Sequence, residues 1–202
     1  MNKNLLIVIE GIDGCGKSTQ VKKVSEKLKI TKFTQPSDGP IGKAFRELLH
    51  SSSEMETKQY EEMFKSLIYA DRIHVLSKKN GVVESLKNSH VIMDRHTMST
   101  IAYNSLDRKD LFENYENNKP FIKPDLVVWL KLSYEEAIKR MNIKDKDIYE
   151  NADKLKKVYD NYEFCFENFQ DLYENILIID ANQKEDEILK QIINKINELE
   201  NE

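Results

Sequence analysis

The chain has 202 residues, 40% of them hydrophobic and 33% charged, with a formal net charge of -4. That length suits one domain with a buried core and leaves little room for a second. The apolar content excludes a disordered chain, and the acidic balance excludes a general nucleic-acid binder, so any phosphate must be held by local features.

Leu5 to Ile9 is apolar without alternation and ends at Glu10, the pattern of a central parallel strand buried on both faces. The run is too short for a signal sequence or a membrane span. From Lys17, the spacing of Val21, Val24 and Leu28 predicts a helix. TQPSDGPIG (34–42) reads as a loop, followed by a helix through Ile41, Phe45, Leu48 and Leu49 and a longer one over Tyr60 to Lys78. HVIMD (90–94), DLVVWLKL (125–132) and NILIID (175–180) read as further strands, and Glu185 to Glu200 as a closing amphipathic helix. ENYENNK (113–119) reads as a polar connection. Strands alternating with helices predict a parallel α/β sheet with ligands at the carboxyl ends of its strands, where the segments after Glu10, Asp94 and Asp180 fall. The only cysteines, Cys15 and Cys165, show no spacing of a metal site or disulfide framework, which fits a reducing compartment and predicts a cytoplasmic protein.

Gly11-Ile12-Asp13-Gly14-Cys15-Gly16-Lys17-Ser18 matches G-x-x-x-x-G-K-[ST] between a buried strand and a helix. Glycines let backbone N–H groups turn inward around phosphate oxygens, the helix N-terminus adds positive potential, Lys17 reaches the β and γ phosphates, and Ser18 ligates Mg²⁺. Asp94 closes a strand, the position of an acid that orients Mg²⁺ or its waters, with Arg95 beside it.

IEGIDGCGKSTQ, SDGPIGKAFRELL, YADR, VIMDRHTMSTIAYN, KPDLVVWLKLSYEEAIKR, DIYE and IDANQ together resemble, in order and spacing, the thymidylate kinase family over nearly the whole chain. The resemblance implies a three-layer α/β P-loop fold with a five-stranded parallel sheet, helices on both faces and a short lid at about residues 142–148 of a single domain, 1–202. It implies transfer of the γ-phosphoryl group of ATP to dTMP with Mg²⁺, in a homodimer, with no nucleic-acid or membrane partner.

At matching positions, Gly11, Asp13, Gly14, Cys15, Gly16, Lys17, Ser18 and Thr19 would surround the ATP phosphates, with Ser18 and Asp94 at Mg²⁺ and Asn182 and Gln183 beside adenine. Asp13 would also meet the acceptor's 3′-hydroxyl, Arg95 its phosphate, Arg72 and Thr100 its base, and Tyr103 its deoxyribose. Lys17, Asp94, Arg95 and Arg140 are the expected catalytic groups.

The chain departs from the family pattern at several positions. Ile68 stands where members often stack an aromatic residue on thymine, leaving Phe64 or Tyr69 to supply a ring. His96 follows Asp-Arg, and the loop before Gly39 lacks an arginine that Arg46 would replace. Gly14 stands where one branch carries an arginine, so the lid side would supply that charge through Arg140, Lys144 or Lys146, Arg140 being preferred. From the residues alone, Arg72 also admits a reading as a solvated pair with Asp71, Tyr103 as core, and Asp13 as a turn residue. Cys15 reads as a small filler or, at a helix N-terminus, as a reactive thiol. Kinases for other monophosphates (dUMP or UMP) and a nucleotide switch stay open at this point, although NQKED (182–186) does not supply the Asn-Lys-x-Asp of a guanine reader.

Overall fold

Every residue of β1 (Leu6–Glu10) is buried, as an unalternating apolar run requires of a strand covered on both faces. In this computed structural model, which describes residues 3–51, 58–141 and 148–201, β1 is the central strand of a five-stranded parallel sheet ordered β2-β3-β1-β4-β5. Its companions are β2 (Thr31–Thr34), β3 (Val91–Asp94), β4 (Leu126–Lys131) and β5 (Asn175–Asp180). The last three lie where their apolar runs predict them. Hydropathy does not announce β2, because TKFT is a four-residue edge strand with its first two residues exposed. Ile9 and Thr34 both stand opposite Asp94, so β1, β2 and β3 end level and the loops leaving them converge.

α1 (Lys17–Leu28) follows the glycine-rich turn directly and lies against β1, β2 and β3. It also packs on α9 (Glu185–Glu200), which buries Ile188, Ile192 and Ile196. α2 (Pro40–Ser51) begins with proline, whose missing N–H is harmless in a first turn. It packs on α3 (Lys58–Ser77), which meets the short α4 (Val82–Ser85). α5 (Thr97–Tyr103) leaves β3 and packs against α6 (Arg108–Asn118) and α8 (Ile148–Asn168), and α7 (Tyr134–Met141) also meets α8.

Residues 113–119, expected as a polar connection, are instead mostly helix α6. Asp107 caps it by accepting the Asp110 N–H at 2.9 Å, and the buried stripe is Leu111, Asn114 and Asn118. Two of those three inward positions are asparagines, so the stripe shows no apolar period. Their amides are paired: Asn114 donates to the Asn104 carbonyl and the Ser105 hydroxyl, both at 2.9 Å, and Asn118 donates to the Tyr69 hydroxyl at 3.1 Å. The expected lid, with Lys144 and Lys146, lies outside the described residues apart from Ile148 at the start of α8. No helix among the described residues is long and apolar enough to cross a membrane.

Candidate active site

The turn from β1 into α1 is a P-loop in geometry as well as in sequence. Gly11 has φ 143°, and a Cβ there would lie 2.7 Å from the Leu130 carbonyl oxygen, so only glycine lets β1 and β4 approach so closely. Gly14 has φ 79° and sits under α7, where a Cβ would meet the Ala137 carbonyl at 3.1 Å and Met141 Cγ at 3.2 Å. Lys17 is buried and donates across the loop to the Ile12 carbonyl at 2.7 Å. Burial, and after it Arg95, lowers its pKa. Ser18 Oγ donates to Asp94 Oδ2 at 2.6 Å.

Gly14, Lys17, Ser18 and Asp94 line a cleft of about 450 Å³ together with Gly16, Thr19 and Thr34. A second cleft of about 400 Å³ is lined by Phe45, Phe64, Ile68, Arg72, His96, Thr100 and Tyr103, among others. Asp13, Gln35, Pro36, Arg46 and Arg95 border both, so the two clefts meet there. The second has a charged floor and an apolar wall, the character of a site for a planar ring with a few polar edges.

Arg95 is at that junction in the left-handed conformation, φ 71°, unusual for a side-chain-bearing residue. Its guanidinium donates to Asp13 Oδ1 at 2.5 Å, Ser99 Oγ at 3.1 Å and the Tyr103 hydroxyl at 3.2 Å, and lies over the Tyr103 ring at 4.7 Å. Loss of water disfavours charge on Asp13, but Arg95 and Lys17 outweigh this and hold its carboxyl below its ordinary pKa. Tyr103 is 37% exposed, and its hydroxyl donates to Asp13 Oδ2 and accepts from the Asp13 N–H, both at 3.0 Å. The core reading of Tyr103 is therefore wrong, and Asp13 is more than a turn residue.

The solvated-pair reading of Arg72 is also overturned. It is fully buried and donates to Gln35 Oε1 at 3.0 Å, Asn118 Oδ1 at 2.5 Å, the His96 carbonyl at 2.9 Å and the Thr100 hydroxyl. Asp71 turns instead to Ser37, accepting its N–H at 2.7 Å. Arg46 reaches both clefts from α2, held by the carbonyls of Pro36 and Ser37 at 2.7 Å each. Tyr69 stacks on Phe121, and of the two candidate rings only Phe64 lines the cleft, beside Ile68. The Cys15 thiol is buried with its pKa raised by that burial, so it is a filler and not a reactive thiolate.

A family model described as thymidylate kinase matches residues 9–192. The chain belongs to the thymidylate kinase family. It is 42% identical to a probable thymidylate kinase of Methanococcus maripaludis strain C7, over 96% of this chain and 97% of the relative. Identity to the thymidylate kinase of Prochlorococcus marinus is 35%, with 96% and 93% of the two chains covered. Among solved structures, the thymidylate kinase of Candida albicans, described as broad in substrate specificity, superimposes with a TM-score of 0.75 at 26% identity, covering 99% of this chain and 95% of that one.

The thymidylate kinase fold brings most of the expected site together, but not its adenine-side members. Asn182 and Gln183 lie beyond β5, where the Asn182 N–H and amide both donate to Asp180 Oδ1 at 2.9 Å. Arg140, expected at the phosphates, donates there to the Ala181 carbonyl and to Asn182 Oδ1, each at 3.1 Å. It is not among the residues lining either cleft. The reason is topological: α7 follows β4, β5 is the neighbour of β4, and the last turn of α7 ends beside the loop leaving β5.

Sequence reasoning missed Gln35, Glu10, Ser99 and Tyr162. Glu10 alone left a signal, a carboxylate ending an otherwise apolar buried strand. His96 is buried in the wall of the second cleft with neither ring nitrogen hydrogen-bonded among the described residues, and burial followed by Arg72 holds its pKa well below the ordinary value.

Proposed function

We infer that this nucleoside monophosphate kinase transfers the γ-phosphoryl group of ATP to dTMP, with the ATP phosphates in the P-loop cleft and dTMP in the cleft floored by Arg72. The observation that carries the assignment is the meeting of the two clefts at Asp13, Arg46 and Arg95. A donor phosphate on Lys17 and an acceptor phosphate on Arg95 would face each other across that junction. Phosphoryl transfer asks mainly for such alignment and for neutralised charge on the moving group. Lys17 and the P-loop N–H groups would hold the β and γ phosphates. Arg95 and Arg46 would hold the acceptor phosphate, and Asp13 its 3′-hydroxyl.

Mg²⁺ is the ion proposed for Ser18 and Asp94. One hydroxyl and one carboxylate, 2.6 Å apart at the edge of the phosphate cleft, suit an ion that keeps several waters and takes its other oxygens from phosphates. Bound there, it would neutralise charge on the ATP phosphates. Arg140 is proposed to act on the adenine side, with Asn182 and Gln183, and not on the transferred phosphoryl group. A cytoplasmic homodimer acting as one domain completes the proposal. Both cysteines are free and buried, and Ile73 and Val83 are exposed on the consecutive helices α3 and α4.

The test is ADP formation with a panel of acceptors. dTMP should give the highest kcat/KM against dUMP, UMP and ribothymidine monophosphate; a higher value for any of these would overturn the assignment of the acceptor.

A further inference from the structure

Glu10 is the one charged residue of β1, and it is fully buried. Its carboxylate makes no ion pair with any lysine or arginine among the described residues. It accepts the His96 N–H at 2.7 Å, the Ser99 N–H at 3.3 Å, the Ser99 hydroxyl, and the Tyr162 hydroxyl at 3.0 Å. The two N–H groups are those of the N-cap His96, which provides no side-chain bond of its own, and of Ser99 in the first turn of α5. A carboxylate from the neighbouring strand thus serves the orphan donors of that helix and meets the positive end of its dipole.

The same four contacts lead to both arginines of the acceptor cleft. Ser99 Oγ, which donates to Glu10, accepts from Arg95 Nη1 at 3.1 Å. His96, whose N–H goes to Glu10, receives Arg72 Nη2 on its carbonyl at 2.9 Å. A single hydroxyl, that of Ser99 or, at a longer 3.5 Å from Arg95 Nη1, that of Tyr162, therefore separates Glu10 from Arg95, and one backbone residue separates it from Arg72. Burial draws the Arg72 guanidinium down to about 10, and Glu10 is the largest charge opposing that fall. Every hydrogen-bond acceptor found for Arg72 is neutral.

We propose that Glu10 is the positioning residue for both acceptor-binding arginines, aiming Arg95 through Ser99 and Arg72 through the His96 backbone without pairing with either. A direct carboxylate pair would occupy the guanidinium fork and cancel its charge at short range. For Arg72, whose acceptors are all neutral, the relay fixes direction and leaves the charge for the ligand; Arg95 also pairs directly with Asp13 Oδ1 at 2.5 Å, so there the relay contributes direction alone. Tyr162 ties α8 to the same carboxylate. The proposal rests on the reading that Arg72 and Arg95 hold the acceptor.

The experiment uses the full chain, with dTMP and thymidine binding by calorimetry and steady-state kinetics for both substrates. Glu10→Gln should weaken dTMP and thymidine by about tenfold or more while the KM for ATP changes by less than about twofold. Ser99→Ala cuts the shorter of the two links to Arg95, leaving the one through the Tyr162 hydroxyl at 3.5 Å, and leaves the arm to Arg72 intact. It should weaken dTMP comparably and leave thymidine, which has no phosphate, unchanged, and Ser99→Thr should recover dTMP binding. Parallel losses for ATP and dTMP, or loss of thymidine binding in Ser99→Ala, would overturn the relay. If circular dichroism shows Glu10→Gln unfolded, the serine pair decides the question alone. A wild-type protein that binds ATP but not dTMP would instead overturn the acceptor reading, and the relay with it.

Discussion

Lys17 shows how one side chain can be both buried and reserved. Its ammonium satisfies the Ile12 carbonyl at 2.7 Å, an acceptor that on the proposed reading it exchanges for a phosphate oxygen. Lys17→Met should lower kcat more than about a hundredfold with an unchanged circular dichroism spectrum, because a charge clamp on the transition state is worth about 3 kcal/mol or more. Residual turnover above about a tenth of wild type would contradict this. Burial lowers the Lys17 pKa, so the charged form needed for phosphate is lost as pH rises through that lowered value. The alkaline fall of kcat/KM for ATP, which reports the free enzyme, should therefore begin below the ~10.4 of an unperturbed lysine. Tyr103 is held by Asp13 and Arg95 at the junction of the clefts. If its ring faces C2′ of the acceptor, dTMP should be preferred over ribothymidine monophosphate by roughly ten- to a hundredfold, since overpacking costs about 1–3 kcal/mol. Tyr103→Ala should narrow that ratio, and an unchanged ratio would remove Tyr103 from sugar selection.

At the level of elements, α6 separates stability from binding. Asp107 caps it without touching the site, and Asn118 at its far end accepts from Arg72. Asp107→Ala should cost about 1 kcal/mol, a fall in Tm of roughly 2–4 °C, with both KM values intact. Asn118→Ala removes an acceptor from a buried cation, an interaction worth about 1.5–3 kcal/mol, and should raise the KM for dTMP roughly tenfold or more while sparing ATP. Equal effects on the two substrates would mean that α6 serves only the fold. α7 behaves differently, since it closes over Gly14 with the Ala137 carbonyl and Met141. An arginine at position 14, as in another branch of the family, would have to displace that turn.

Across the whole molecule, each nucleotide that binds only the folded state adds stability by mass action. dTMP at about a hundred times its Kd should contribute ~2.7 kcal/mol, which for a chain of this size is a rise in Tm of roughly 5–11 °C. Calorimetric scans with dTMP, ATP and each variant measure this directly. No shift with dTMP at concentrations that support turnover would contradict a preformed acceptor cleft.

How much of this was legible in the sequence depended on whether the signal was local. The P-loop, the buried strands β1, β3 and β4, the half-buried edge strand β5 and the closing helix α9 were readable, because each is encoded by residues adjacent in the chain: a glycine turn, an apolar run, a period of three to four. The thymidylate kinase resemblance extended that reading to Arg72, Arg95, Thr100 and Tyr103. Edge strand β2 and helix α6 were hidden, the first because it buries little and the second because its inward face is asparagine. Whether Arg72 was a surface pair or a buried cation could be decided only by tertiary structure, since its acceptors come from residues 35, 96, 100 and 118. The same holds for Arg140, drawn to the loop after β5 by strand order, and for Glu10, whose partners lie on α5 and α8. A buried polar group is defined by what surrounds it, and those surroundings are assembled from distant parts of the chain that sequence spacing does not bring together.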